Sequence, residues 1–188
     1  MLNNRILILL FVIWIFGIFC HLSYAQTVKE PNVAGTFYPD DPKKLSKLVD
    51  DLLDKADPQP LSGEIFGLIC AHAGYDFSGE VAAGGYKLIK GKPYKTVVIL
   101  GTSHHYPFSG ASVYPEGVFN TPLGGIKVDS EFTKKILNKD PEVHFIPEAF
   151  KLEHSIEVQL PFLQRALAGF SIVPIVLGDC SFSCCHCL

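Results

Sequence analysis

Ile65-Phe66-Gly67-Leu68-Ile69-Cys70-Ala71-His72-Ala73-Gly74-Tyr75-Asp76-Phe77-Ser78-Gly79 and Thr96-Val97-Val98-Ile99-Leu100-Gly101-Thr102-Ser103-His104-His105 use one device twice. A short apolar run ends abruptly in histidine beside Gly and Ser. Such a run reads as a buried strand that delivers a polar side chain to the end of a sheet. Open α/β sheets bind ligands beyond the carboxyl ends of their strands, so two adjacent strands of this kind would bring His72 and His104 into one crevice. Ser78 offers an N-cap for a helix through about Ile89, and Lys95–Leu100 is the next strand. Strand, helix, strand in this order predicts a right-handed βαβ unit. The paired Gly84-Gly85 weakens the intervening helix and predicts close packing against the sheet.

Working outward, Gln26–Asn32 reads as an extended lead-in, and Ala34-Gly35-Thr36-Phe37-Tyr38-Pro39 as an aromatic segment that packs on the domain. Asp41 and Pro42 open a helix whose Leu45, Leu48, Val49, Leu52 and Leu53 recur at helical spacing. Ser109–Tyr114, Gly117–Asn120, Ile126–Val128 and Val143–Ile146 read as short strands, and Asp129 as the cap of a helix containing Phe132, Ile136 and Leu137. Glu153-His154-Ser155-Ile156-Glu157 opens a further helix, where Pro161 predicts a kink or a late start. Ser171–Leu177 is a final buried strand, and Pro174 within it favours an edge or a bulge.

Length and composition suit one globular domain with a substantial core: 188 residues, 48% hydrophobic and 19% charged. A formal charge of −3 with no Lys/Arg cluster argues against nucleic acid as a partner. At the N-terminus, Arg5, the apolar run Ile6–Phe19 and Ser23-Tyr24-Ala25 have the form of a secretory signal peptide, residues 1–25, cleaved before Gln26. Cleavage removes Arg5, takes the net charge from −3 to −4, and predicts an exported protein, periplasmic or secreted; an uncleaved membrane anchor is the alternative. The domain then occupies residues 26–179. Four of the six cysteines, Cys180, Cys184, Cys185 and Cys187, crowd a terminal stretch, residues 180–188. Their spacing is not that of a structural zinc site, and the stretch is read as a tail.

The candidate chemistry rests on the histidines. Neutral imidazole suits iron, copper and zinc; against this, a histidine at a strand end often does no more than bond a backbone group. His105 follows His104 directly, so it is expected to point elsewhere and to support the pocket or the structure rather than to ligate. Tyr75 and Asp76 lie in the first histidine loop, where either could orient an imidazole. Ser103, Glu153 and His154 complete the set of expected pocket residues, and an acidic Glu157 is equally explained by the helix dipole.

Several segments, in order, resemble the Memo family, also called AmmeMemoRadiSam system protein B. They are Ala34-Gly35-Thr36-Phe37-Tyr38, His72-Ala73-Gly74-Tyr75-Asp76-Phe77-Ser78-Gly79, Leu100-Gly101-Thr102-Ser103-His104-His105 and Thr121-Pro122-Leu123-Gly124. Glu153-His154-Ser155-Ile156-Glu157-Val158-Gln159-Leu160-Pro161-Phe162 and Val173-Pro174-Ile175-Val176-Leu177-Gly178 follow. The resemblance implies a three-layer α/β/α sandwich around a mixed, largely parallel sheet, similar to the class III extradiol dioxygenases. It also implies that His72 and His104 are metal ligands for iron or copper with a redox-related role. The family continues beyond the segment that ends at Gly178, and its later metal ligands lie there, so the fold and the site are expected to be incomplete at the C-terminus. The competing readings are a non-catalytic protein that takes a small molecule or peptide in the same crevice, and extradiol ring cleavage. The latter is disfavoured because no third carboxylate ligand can be placed in the crevice from the sequence.

Overall fold

A computed structural model describes residues 27–179. The signal-peptide segment and the cysteine-rich tail lie outside the described residues. The architecture is α/β. One sheet runs in the order β2 (Thr96–Thr102), β7 (Ser171–Leu177), β3 (Ala111–Val113), β6 (Val143–His144). A smaller sheet joins β1 (Val28–Lys29), β4 (Val118–Thr121) and β5 (Gly124–Lys127). In the main sheet β2 and β7 are parallel, β7 and β3 antiparallel, and β3 and β6 parallel.

Alternation along β7 divides the core. Ile172 and Val176 face a cluster with helices α1 (Pro42–Lys55), α2 (Tyr75–Ile89) and α5 (Leu160–Ala166). Val173, Ile175 and Leu177 face the opposite side, under Ile136 and Leu137 of α3 (Ser130–Lys139). This is the period-two consequence of a strand buried on both faces. Asp41 caps α1 by accepting from the Lys44 N–H at 2.8 Å, and Asp129 caps α3 by accepting from the Phe132 N–H at 3.0 Å. Both caps agree with the sequence reading.

Four expectations are corrected. Residues 65–71 form no ladder, so the predicted βαβ unit is not made: no strand among the described residues lies alongside to bond that backbone. Helix α2 begins at Tyr75 rather than after Ser78. Gly74 takes the cap position, and the Ser78 hydroxyl donates back to the Ala73 carbonyl at 3.0 Å. Of the two glycines, only Gly85 packs closely, where an added Cβ would lie 3.3 Å from Cys70 Sγ; Gly84 faces open space. Finally, β7 is central, with Pro174 opposite Ile99 of β2. Pro174 is tolerated because its carbonyl accepts from Tyr114 N–H at 3.1 Å, one residue past the end of β3. Its missing N–H lies on that same side, where the ladder has already stopped.

The segment opened by Glu153 starts late, as Pro161 predicts. A short α4 (Pro147–Lys151) precedes an irregular turn at residues 153–156, then a single 3₁₀ turn Glu157–Gln159 leads into α5 with Pro161 in its first turn. Among the described residues, no helix is long and apolar enough to cross a membrane.

Candidate metal centre

The ends of residues 65–71 and of β2 do converge. The His72 and His104 rings lie 5.2 Å apart between centroids, and His154 joins them, 4.6 Å from His104 and 6.1 Å from His72. His105 stands at the rim, its ring 6.4 Å from His104 and 6.1 Å from His154. The cluster is thus built from two apolar runs that deliver His72 and His104, and from the turn at 153–156 that delivers His154.

That turn can approach because position 101 is glycine. A Cβ on Gly101 would collide with Ser155 Oγ and come within 2.8 Å of Ile156 Cγ1. The Ser155 hydroxyl also donates to the Thr102 carbonyl at 3.3 Å, stitching the turn to the end of β2.

Glu153 is buried at the centre of the arrangement. Its Oε1 accepts from the His154 N–H at 2.8 Å and the Ser155 N–H at 2.7 Å, and lies 2.9 Å from His104 Nδ1. Its Oε2 accepts from the His104 N–H at 2.8 Å. Burial alone would push this carboxyl upward, but the N–H groups of Ser155 and His104 together with the His104 ring outweigh it and hold it at about 2. Glu153 is therefore anionic, and an anion beside Nδ1 selects the tautomer with the proton there. In the neutral ring the lone pair then lies on Nε2 of His104. His154 is held below the ordinary imidazole value, first by burial and, against the pull of Glu153, by the neighbouring imidazoles of His104, His72 and His105. His154 therefore presents neutral imidazole nitrogen to the site.

His104, Glu153 and His154 offer possible ligand atoms within 4.8 Å of one another. The carboxylate in the crevice is Glu153, one of the expected pocket residues. Its four N–H contacts, however, make it a holder of imidazoles rather than a free donor.

The remaining expected pocket residues divide. Ser103 sits at the mouth, its hydroxyl donating to the Tyr106 carbonyl at 2.7 Å. Tyr75 is a core residue whose hydroxyl donates to the Val158 carbonyl at 2.7 Å, and Asp76 is exposed in the first turn of α2. Neither hydrogen-bonds His72. Their side chains are carried away from it because the helix begins at Tyr75, one turn earlier than the sequence suggested.

Sequence reasoning missed the supports contributed by the aromatic segment. Phe37 meets the His154 ring edge-on at 5.0 Å. Tyr38 donates to Glu157 Oε1 at 2.6 Å, and Glu157 also accepts the Asn32 and Val33 N–H groups at 2.6 and 2.9 Å. Glu157 thus pins the N-terminal segment rather than serving only the helix dipole. Two carboxylates four residues apart around one histidine were the available signal.

The Memo-like protein family model matches residues 29–187. The chain belongs to the Memo family. Among curated relatives it is 42% identical over 157 residues to a MEMO1 family protein of Pyrococcus abyssi, covering 80% of this chain and 53% of that protein. It is 40% identical over 160 residues to one of Methanopyrus kandleri, covering 80% and 56%, and 43% identical over 151 residues to one of Aquifex aeolicus, covering 80% and 55%. This Memo-family chain spans about half the length of the curated relatives it matches.

Proposed function

We propose that this Memo-family chain binds one iron or copper ion through His72, His104 and His154 and serves a redox-related role. The observation that carries the reading is the triangle of imidazoles with His104 fixed by Glu153. Rings bound to one ion through nitrogens at about 2.0–2.1 Å have centroids roughly 4.5–5.5 Å apart. Two sides of the triangle, at 4.6 and 5.2 Å, fall in that range; the third is longer, at 6.1 Å. His72 stands outside the set His104, Glu153 and His154, whose ligand atoms lie within 4.8 Å of one another, so metal binding requires His72 to close on His154. Imidazole-rich sites suit iron, copper and zinc rather than magnesium or calcium. Iron or copper, when bound, supplies one-electron chemistry.

The protein's own residues do the rest. Glu153 keeps His104 in one tautomer and raises its basicity, and Phe37 fixes the plane of His154. Burial keeps His154 unprotonated and ready to donate its lone pair. The carboxylate in the crevice is committed to N–H donors, which favours an all-imidazole set over the two-histidine, one-carboxylate set of an extradiol dioxygenase. Export belongs to the same proposal: the mature protein begins at Gln26, and N-terminal sequencing of material from the producing cell checks it. A retained Met1 in membranes would contradict export by cleavage.

The direct test is metal analysis of the purified chain after anaerobic loading with iron(II) or copper(I) and desalting. The proposal expects close to one ion per chain, lost in His104→Ala. A chain that retains no metal after loading would favour the binding-protein alternative.

A further inference from the structure

The loop of residues 33–38 is tied to itself before it touches anything else. The Gly35 N–H donates to the Tyr38 carbonyl at 2.7 Å, and the Thr36 and Phe37 N–H groups return to the Val33 carbonyl at 3.1 and 2.8 Å. The Thr36 hydroxyl donates to that same carbonyl at 2.9 Å. The turn requires φ +81° at position 35, which glycine adopts without strain. A short loop closed on itself in this way acts as one stiff piece.

That piece reaches both of the elements whose histidines stand furthest apart. On the His154 side, the Tyr38 hydroxyl and the Val33 N–H donate to Glu157 Oε1 at 2.6 and 2.9 Å, and the Phe37 ring meets His154 edge-on. Asn32, just before the loop, spans the turn. Its N–H donates to Glu157 Oε2 at 2.6 Å and its side-chain amide to the Glu153 carbonyl at 3.0 Å. The turn that carries His154 is thus gripped at residues 153 and 157. On the His72 side, the Phe37 carbonyl accepts the N–H of Tyr75 at 2.7 Å. Tyr75 opens α2, three residues after His72, and a first-turn N–H has no partner within its own helix. This bond therefore fixes where the His72 loop meets α2. Tyr38 and Glu157 are both buried, and stranding a buried carboxylate is costly, so the latch stays closed. Burial and the adjacent Glu157 raise the Tyr38 hydroxyl above its ordinary value, which keeps it a donor. The Tyr75 hydroxyl and the Gln159 amide also cross between the two elements, at Val158 and Ala71, but they leave from points past the turn itself.

We propose that Tyr38 is a positioning residue: by latching residues 33–38 onto Glu157 it sets the separation of the His72 and His154 rings, with Asn32 holding the other end of the turn. Glu153 and Ser155 tie the turn to the end of β2 and so fix His154 against His104. The latch supplies the remaining constraint, on the 6.1 Å side of the triangle. Its consequence for an ion rests on the metal-binding reading; its hold on the two rings does not.

The test compares Tyr38→Phe with Tyr75→Phe in the 188-residue chain. Each deletes one buried phenol hydroxyl, but only the first belongs to the latch. In NMR spectra of the metal-free protein, Tyr38→Phe should shift the His154 ring resonances and weaken the Phe37–His154 ring contact, while Tyr75→Phe leaves both as in the parent. Iron(II) affinity should fall about tenfold in Tyr38→Phe and hold in Tyr75→Phe. Asn32→Ala, at an exposed position, should move the His154 resonances too, which keeps the test decisive if Tyr38→Phe does not fold. His154 resonances that stay put in Asn32→Ala and in any folded Tyr38→Phe, or that move as far in Tyr75→Phe, would overturn the proposal. A parent chain that takes up no metal would contradict the metal-binding reading alone, and the metal-free spectra would still decide what holds His154.

Discussion

Nδ1 of His104 lies 2.9 Å from Oε1 of Glu153, and the same residue's N–H lies 2.8 Å from Oε2. One buried carboxylate thereby holds both the backbone and the ring of a strand-end histidine. Replacement by glutamine puts an NH₂ where an acceptor is required. Glu153→Gln is expected to lower unfolding free energy by about 2–3 kcal/mol, measured by urea denaturation, because charged buried hydrogen bonds are lost and donors stranded. Metal affinity should fall about 10- to 100-fold, as for other groups that orient a ligating imidazole.

The same carboxylate predicts acid sensitivity. Its folded value, about 2, is depressed from 4.5. The stabilisation is therefore complete above the unfolded value and is lost as pH falls from about 4.5 through 2. The loss amounts to about 3 kcal/mol at most. His154 is depressed too, so the unfolded chain takes its proton first and stability already begins to decline as pH drops below the ordinary imidazole value of 6.5. Denaturant unfolding of the metal-free chain across pH 2–7 should show both declines, and Glu153→Gln should flatten the lower one.

Gly101→Ala tests the close approach of the turn to β2. The added methyl meets Ser155 Oγ and Ile156, both in the short segment that carries His154. A loss of about 1–3 kcal/mol in stability is expected from overpacking, together with weaker metal binding, because His154 is displaced from His104. Unchanged stability would show that the turn can yield.

Tyr75→Phe separates packing from site chemistry. The hydroxyl serves the Val158 carbonyl and not His72. The variant should lose about 1 kcal/mol by calorimetry or denaturation and bind metal as the parent does. A tenfold loss of affinity would return Tyr75 to the site.

Much of this was legible in the chain because local rules governed it. Asp41-Pro42 and Asp129 are capping signals that act within four residues, and the apolar runs before His72 and His104 fix where those side chains emerge. What was not legible depended on distant partners. Residues 65–71 have the composition of a strand, yet a strand exists only when another backbone bonds it. Pro174 reads as an edge residue, yet it sits in the central strand because β3 stops beside it. Glu153 reads as a helix-start acid. Its burial beneath His104 follows from Gly101, Ser155 and Thr102, which lie about fifty residues apart in pairs that no local pattern reveals.

The central claim is that three imidazoles, from His72, His104 and His154, share one ion. X-ray absorption of the chain loaded with one equivalent of iron(II) or copper(I) tests it most directly, because scattering from imidazole rings counts them. The expected spectrum has three imidazole nitrogens in the nearest shell, falling to two in His154→Ala. A loaded wild-type spectrum with no imidazole scattering, or one unchanged by His154→Ala, would contradict the account.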